Sequence, residues 1–144
     1  MPTFALERLD LMCRTVEVSA LMIDGKSEYQ QFWADHRKDN FTGMLHKLET
    51  RLREVAELKR LPKAKWRKLT PETQGVAEFE AKADDLRMYC LKIPNKGYVI
   101  VTVGFKGEQN KDIARMRSIK TRYLQELSDI EVAENKSKRN LPKS

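Results

Sequence analysis

Two consecutive apolar segments, Leu86 to Ile93 and Tyr98 to Phe105, joined by Pro94-Asn95-Lys96-Gly97, constrain this chain more than any other stretch. Proline and glycine stand at favoured turn positions between them, so the pair reads as a β-hairpin. The second segment is apolar almost without interruption, which suits a central strand of the sheet. The rest of the chain must therefore supply neighbours for that strand.

Those neighbours are legible in the surrounding periodicities. Val16, Val18, Ala20 and Met22 lie on one side between Thr15 and Ile23, with Glu17 and Ser19 on the other, and Asp24-Gly25 closes the segment as a turn. Ser27 followed by Gln30 has the form of a capping box, and Tyr29, Phe32, Trp33 and His36 continue at helical spacing to about Arg37. Phe41, Met44, Leu45, Leu48, Leu52, Val55 and Ala56 form the strongest apolar stripe, with Leu61-Pro62 as its expected end. Residues 61 to 75 read as an irregular basic segment, and Val76 to Ala83 as a strand. A last helix is expected from about Lys111 to Leu127, capped by Asn110, with Asp112 favouring its dipole.

The expected order is strand, helix, helix, strand, strand, strand, helix. This is an α+β domain: a small antiparallel-rich sheet, two N-terminal helices packed on one face of it, and a C-terminal helix. It spans residues 1–128, followed by a basic, flexible tail over 129–144. The 144 residues suit one domain with a core of ordinary size. No apolar run is long enough to cross a bilayer and the N-terminus has no secretory pattern, so a cytoplasmic location with no membrane partner is expected. Cys13 and Cys90 with His36 and His46 lack metal-ligand spacing, and neither a metal nor another cofactor is expected.

The net charge of +7 is unevenly distributed. Lys136, Lys138, Arg139 and Lys143 place four of those charges in the tail. Lys59 to Lys68 holds six basic residues and no acid, whereas Glu72 to Asp85 holds five acids against Lys82 alone. Such polarity fits a polyanion-facing surface with an acidic face elsewhere, and ordinary solvated charge accounts for it equally well.

The hairpin Leu86-Arg87-Met88-Tyr89-Cys90-Leu91-Lys92-Ile93 and Tyr98 to Lys106, ending in Gly104-Phe105-Lys106, resembles the signature hairpin of the RelE/ParE toxin superfamily in its HigB-like, phage-derived branch. Leu61 to Leu69 sits where that branch carries a similar "LP…KKL" segment, and the likeness extends over roughly residues 44 to 127. It implies a RelE-like fold and the toxin of a type II toxin-antitoxin system. The implied activity is metal-independent, ribosome-dependent cleavage of mRNA. The implied partners are a cognate antitoxin protein, the ribosome and mRNA. Departures from the pattern are Gly107-Glu108 in place of adjacent lysines, and no His or Tyr between positions 106 and 115.

Metal-free RNA cleavage needs charge stabilisation on a phosphorane and proton transfer at the attacking and leaving oxygens. Carried from the resemblance, Arg87 and Lys106 are the expected catalytic cations, the alternative being strand-end ion pairs with Asp84, Asp85 or Glu108. Lys111 and Arg115, four apart on one helix face with Arg122 further along it, are expected to contact RNA. Arg53, Lys63, Lys65, Arg67 and Lys68 join them, and Trp66 is either a base-stacking ring or an anchor for its loop. Glu108, Asp112 and Tyr89 are the candidates for proton transfer. The competing expectation is a protein of the same fold without catalysis, either a ParE-like topoisomerase inhibitor or a nucleic-acid-binding module.

Overall fold

A computed structural model describes residues 2–10, 15–37 and 41–139. The elements are β1 (Phe4–Arg8), β2 (Val18–Ile23), β3 (Lys26–Ser27), α1 (Glu28–Asp35), α2 (Thr42–Ala56), β4 (Trp66–Lys68), β5 (Ala77–Ala83), β6 (Leu86–Ile93), β7 (Gly97–Phe105) and α3 (Gln109–Arg139). All seven expected elements are present, and β1, β3 and β4 are additional. The last two are only two and three residues long, too short for alternation to mark them. The seven strands form one mixed sheet in the order β1-β2-β7-β6-β5-β4, with β3 paired to β2. Every pairing is antiparallel except β2 with β7, where Val18 lies opposite Tyr98 and Ala20 opposite Ile100.

That parallel junction depends on Gly97. Its φ is +78°, and a Cβ there would lie 2.2 Å from the Glu17 carbonyl oxygen. The Glu17 oxygen also accepts the Tyr98 amide at 2.9 Å. Glycine is thus required both for the left-handed backbone and for the close approach of the two chains.

The sheet is covered on both faces, not on one as the periodicity suggested. Tyr29 of α1 and Leu45, Leu48, Leu52 and Val55 of α2 pack with Val18, Met88, Cys90 and Ile100 on one side. Met116 and Tyr123 of α3, with Ile113, Ile119 and Leu124, pack with Leu21, Tyr89, Leu91, Val99 and Val101 on the other. Successive side chains of a strand point to opposite faces, so a strand that is apolar at every position needs two covers. The near-continuous burial of β6 and β7 is the local signature of that requirement.

Helix ends differ from expectation for identifiable reasons. In α1 the Ser27 hydroxyl accepts the Gln30 amide at 3.3 Å, as a capping residue should. Helix α2 stops at Ala56, well before Pro62. Leu58 adopts a φ of +65°, the Lys59 amide donates to the Glu54 oxygen at 2.9 Å and the Leu58 amide to the Val55 oxygen at 3.0 Å. This is a Schellman closure with leucine where glycine is usual, so composition gave no sign of it. Helix α3 begins at Gln109, ahead of the expected Asn110 cap.

Helix α3 runs through Arg139, and every side chain from Ser128 to Ser137 is exposed. The boundary drawn at 128 therefore marks the end of packing and not of the helix. Cys13 and residues 140–144 lie outside the described residues. Deleting residues 129–144 is expected to shift the melting temperature by less than about 3 °C, since the side chains from Asp129 to Ser137 are exposed. A larger fall in a thermal melt of the truncated protein would show that this segment docks.

Candidate functional site

The two residues singled out on the hairpin emerge at the same end of the sheet. Arg87 lies opposite Gly104 on β7 and opposite Lys82 on β5. Lys106 follows β7 by one residue, and its amide donates to the Asp85 oxygen at 2.7 Å, pinning the start of α3 beside the β5–β6 turn. Lys106 itself is exposed. Arg87 is 8% exposed, and its Nη1 donates to the carbonyl oxygens of Asp84 and Leu86, each at 2.8 Å. Its Nε has no hydrogen-bond partner among the described residues. The expected carboxylate partners do not hold these bonds: the Asp84 carboxylate instead pairs with Lys47 at 2.9 Å.

Register places further cations beside Arg87. One row across the sheet runs Arg67, Glu80, Tyr89, Thr102, and the next runs Lys82, Arg87, Gly104. Strand alternation puts both rows on the α3 face, because Trp66, Ala81, Met88 and Val103 between them belong to the opposite core. Glu80 is fully buried at the centre. It accepts from Arg67 at 3.0 Å and from Gln109 of α3 at 2.9 Å, with Lys82 at 4.0 Å. Lys82 went unread in the sequence; the two-residue turn Asp84-Asp85 was the available signal, since it fixes residue 82 opposite residue 87.

The proton-transfer candidates fall into different environments. Tyr89 is fully buried, and its hydroxyl has no hydrogen-bond partner among the described residues. Burial, then the negative charge of Glu80, pushes its pKa above the ordinary phenol value, so it is a core residue and not an accessible acid. Glu108 is exposed in the turn before α3. Asp112 is half-buried against Gly104, where a Cβ would lie 2.0 Å from its Oδ2. Burial, then the neighbouring Glu108, raises the Asp112 pKa above the usual carboxylate range, with Lys111 and Arg115 opposing. Asp112, Lys111 and Arg115 share a groove of about 340 Å³ with Glu28, Gln31, Asp35 and Thr102. Arg115 pairs with Glu28 at 2.5 Å, which holds its guanidinium still more firmly protonated.

The basic segment divides. Arg53, Lys63 and Lys65 are exposed, without ion pairs among the described residues. Lys68 pairs with Glu72 at 2.8 Å, and Arg67 is held by Glu80 as above. Trp66 is buried, stacked on Phe79 at 5.1 Å between centroids and edge-on to Tyr98 at 5.6 Å. It anchors the segment and does not present a free face for a base.

A second buried charge cluster was missed in the sequence. Glu78 and Lys120 are both fully buried and 2.9 Å apart. Glu78 also accepts from Arg117 at 2.8 Å and from Thr73 at 3.3 Å. Lys120 reaches the Thr73 and Val76 carbonyl oxygens at 2.7 and 2.8 Å. Two ionised groups out of water need such saturation with partners. The cluster ties α3 to β5 from below, while Gln109 ties its first turn to Glu80.

No protein-family model, no curated protein and no solved structure matches this chain. Among the described residues no helix is long and apolar enough to cross a membrane.

Proposed function

We propose that this protein is the toxin of a type II toxin-antitoxin pair, of RelE/ParE kind in its HigB-like branch, and that it cleaves mRNA on the ribosome without a metal. The observation that carries this reading is the gathering of Arg67, Lys82 and Arg87 in adjacent rows of three neighbouring strands, with Lys106 and Lys111 at the start of α3. Cations from separate elements gathered near one sheet end suit a phosphate whose charge grows during reaction. Lys106 and Arg87 stabilise the phosphorane. Asp112, with its raised pKa beside two cations, is the better-placed proton-transfer group, and Glu108 is the other. The cognate antitoxin covers this end of the sheet, and the protein works in the cytoplasm.

A second reading, a protein of the same fold that binds without cutting, is favoured by two observations. Arg87 Nη1 is already committed to two backbone oxygens, and Tyr89 is sealed in the core. Expression in a bacterial host separates the two. Growth arrest within a generation or so, with loss of translated mRNA, is expected of the nuclease. Arrest with intact mRNA would point to a topoisomerase-inhibiting binder, and normal growth with soluble protein would contradict an active toxin and leave the nucleic-acid-binding module.

A further inference from the structure

The groove holding Asp112 opens, past Glu28, Gln31 and Arg115, into a larger trough of about 550 Å³ between the β3–α1 corner and α3. Its α3 wall carries Arg115, Ser118 and Arg122, and its other wall carries Lys26, Glu28 and Gln31. Lys111, Arg115, Ser118 and Arg122 are spaced by four, three and four residues, so they form one stripe about 16 Å long at 1.5 Å per residue. Lys26 and Arg122 are exposed and have no ion pair among the described residues. Arg115, between them, is bonded to Glu28, whose side chain keeps 25% of its exposure while that of Arg115 keeps 59%.

Taken together, these features describe a row of cations along α3 that faces Lys26 across the trough, with hydroxyl and amide donors between them, Ile23 and Ile119 in the lining, Glu28 on the central cation, and Asp35 and Asp112 at the Lys111 end. We propose that this trough binds the phosphodiester backbone of single-stranded RNA, and that Glu28 occupies the central phosphate seat on Arg115 until RNA arrives. A guanidinium that donates to a carboxylate oxygen can donate to a phosphate oxygen in its place. The free cations on either side set the path, and the Glu28–Arg115 pair sets a threshold that only a polyanion touching several of them overcomes. This strand path rests on the RNA-directed reading of the protein and leads away from the Lys106 end.

The decisive property is that two kinds of substitution act in opposite directions. Fluorescence anisotropy with a labelled single-stranded RNA oligomer is the test, using the full chain and following affinity against salt. Lys26→Glu and Arg122→Glu are each expected to weaken binding roughly tenfold and to flatten the salt dependence by about 0.7 for each phosphate no longer neutralised. Glu28→Gln is expected to tighten binding several-fold, since it removes a competing anion and frees Arg115. Lys136→Glu, an equal charge change far along α3, is expected to have little effect. A thermal melt of each variant checks the fold, so that a change in affinity is read only from variants that melt like the parent. If Lys26→Glu and Arg122→Glu act no more strongly than Lys136→Glu, or if the parent fails to bind the oligomer, the trough is not the path. If Glu28→Gln weakens binding, the occupied seat is wrong. Cleavage of ribosome-bound mRNA, measured in parallel, reports on the nuclease reading independently, since the parent can cut while the trough variants bind like it.

Discussion

Replacing Lys120 by methionine is expected to destabilise the protein by about 3–5 kcal/mol, among the largest effects a single change can have in a domain of this size. Methionine matches the length of the lysine stem, so packing against Met116 and the α3 face of the sheet survives. What is lost is the charge partner of Glu78, which is fully buried and keeps only Arg117 and Thr73. The carbonyl oxygens of Thr73 and Val76 lose their donor at the same time. In urea the midpoint should fall by about 1–3 M for a protein of ordinary m-value. The double variant Glu78→Leu with Lys120→Met should recover much of the loss, because the stranded carboxylate goes with its partner and the half-exposed Arg117 can turn to water. A single variant that unfolds within about 1 kcal/mol of the parent would mean that the pair is not what ties α3 to β5.

The same pair shows where sequence reading stopped. The β6–β7 hairpin was legible because a fully covered strand advertises itself in consecutive apolar residues, and α2 because its stripe repeats at helical spacing. The α+β class and the central position of β7 followed from those signals, whereas the order lacked β1, β3 and β4. The second cover did not, although the stripe Met116, Ile119 and Tyr123 was visible, because nothing local says which face a helix will take. The acidic stretch from Glu72 to Asp85 read as a solvated face. Glu78 and Glu80 are instead fully buried, since their partners Lys120, Gln109 and Arg67 lie 42, 29 and 13 residues away. A charge is exposed or buried according to such long-range partners, and periodicity carries no record of them. For the candidate site, the end of the hairpin was legible, and so was the Lys111–Arg115 face. The confinement of Tyr89 and Arg87, and the presence of Lys82 beside Arg87, depended on which face of each strand α3 covers.

Catalysis makes the second large prediction. Lys106 is exposed and holds no ion pair among the described residues, so Lys106→Ala leaves the fold intact and removes a cation from the sheet end. If that cation meets the growing phosphorane charge, the single-turnover rate should fall by about 10²–10³, with far less change in affinity for the ribosome. Arg87→Lys keeps a donor for the Asp84 and Leu86 oxygens but not the second arm of the fork, and should cost about tenfold or more. Lys63→Ala and Lys65→Ala should weaken binding and its salt dependence while leaving the chemical step nearly unchanged. The most direct measurement is therefore the single-turnover cleavage of mRNA on translating ribosomes in the presence of a chelator that spares ribosomal magnesium. The parent protein is predicted to cut, Lys106→Ala to cut about a hundredfold or more slowly, and both to melt alike. Intact mRNA with the folded parent, or cleavage by Lys106→Ala at the parental rate, would contradict the proposed chemistry at this end of the sheet.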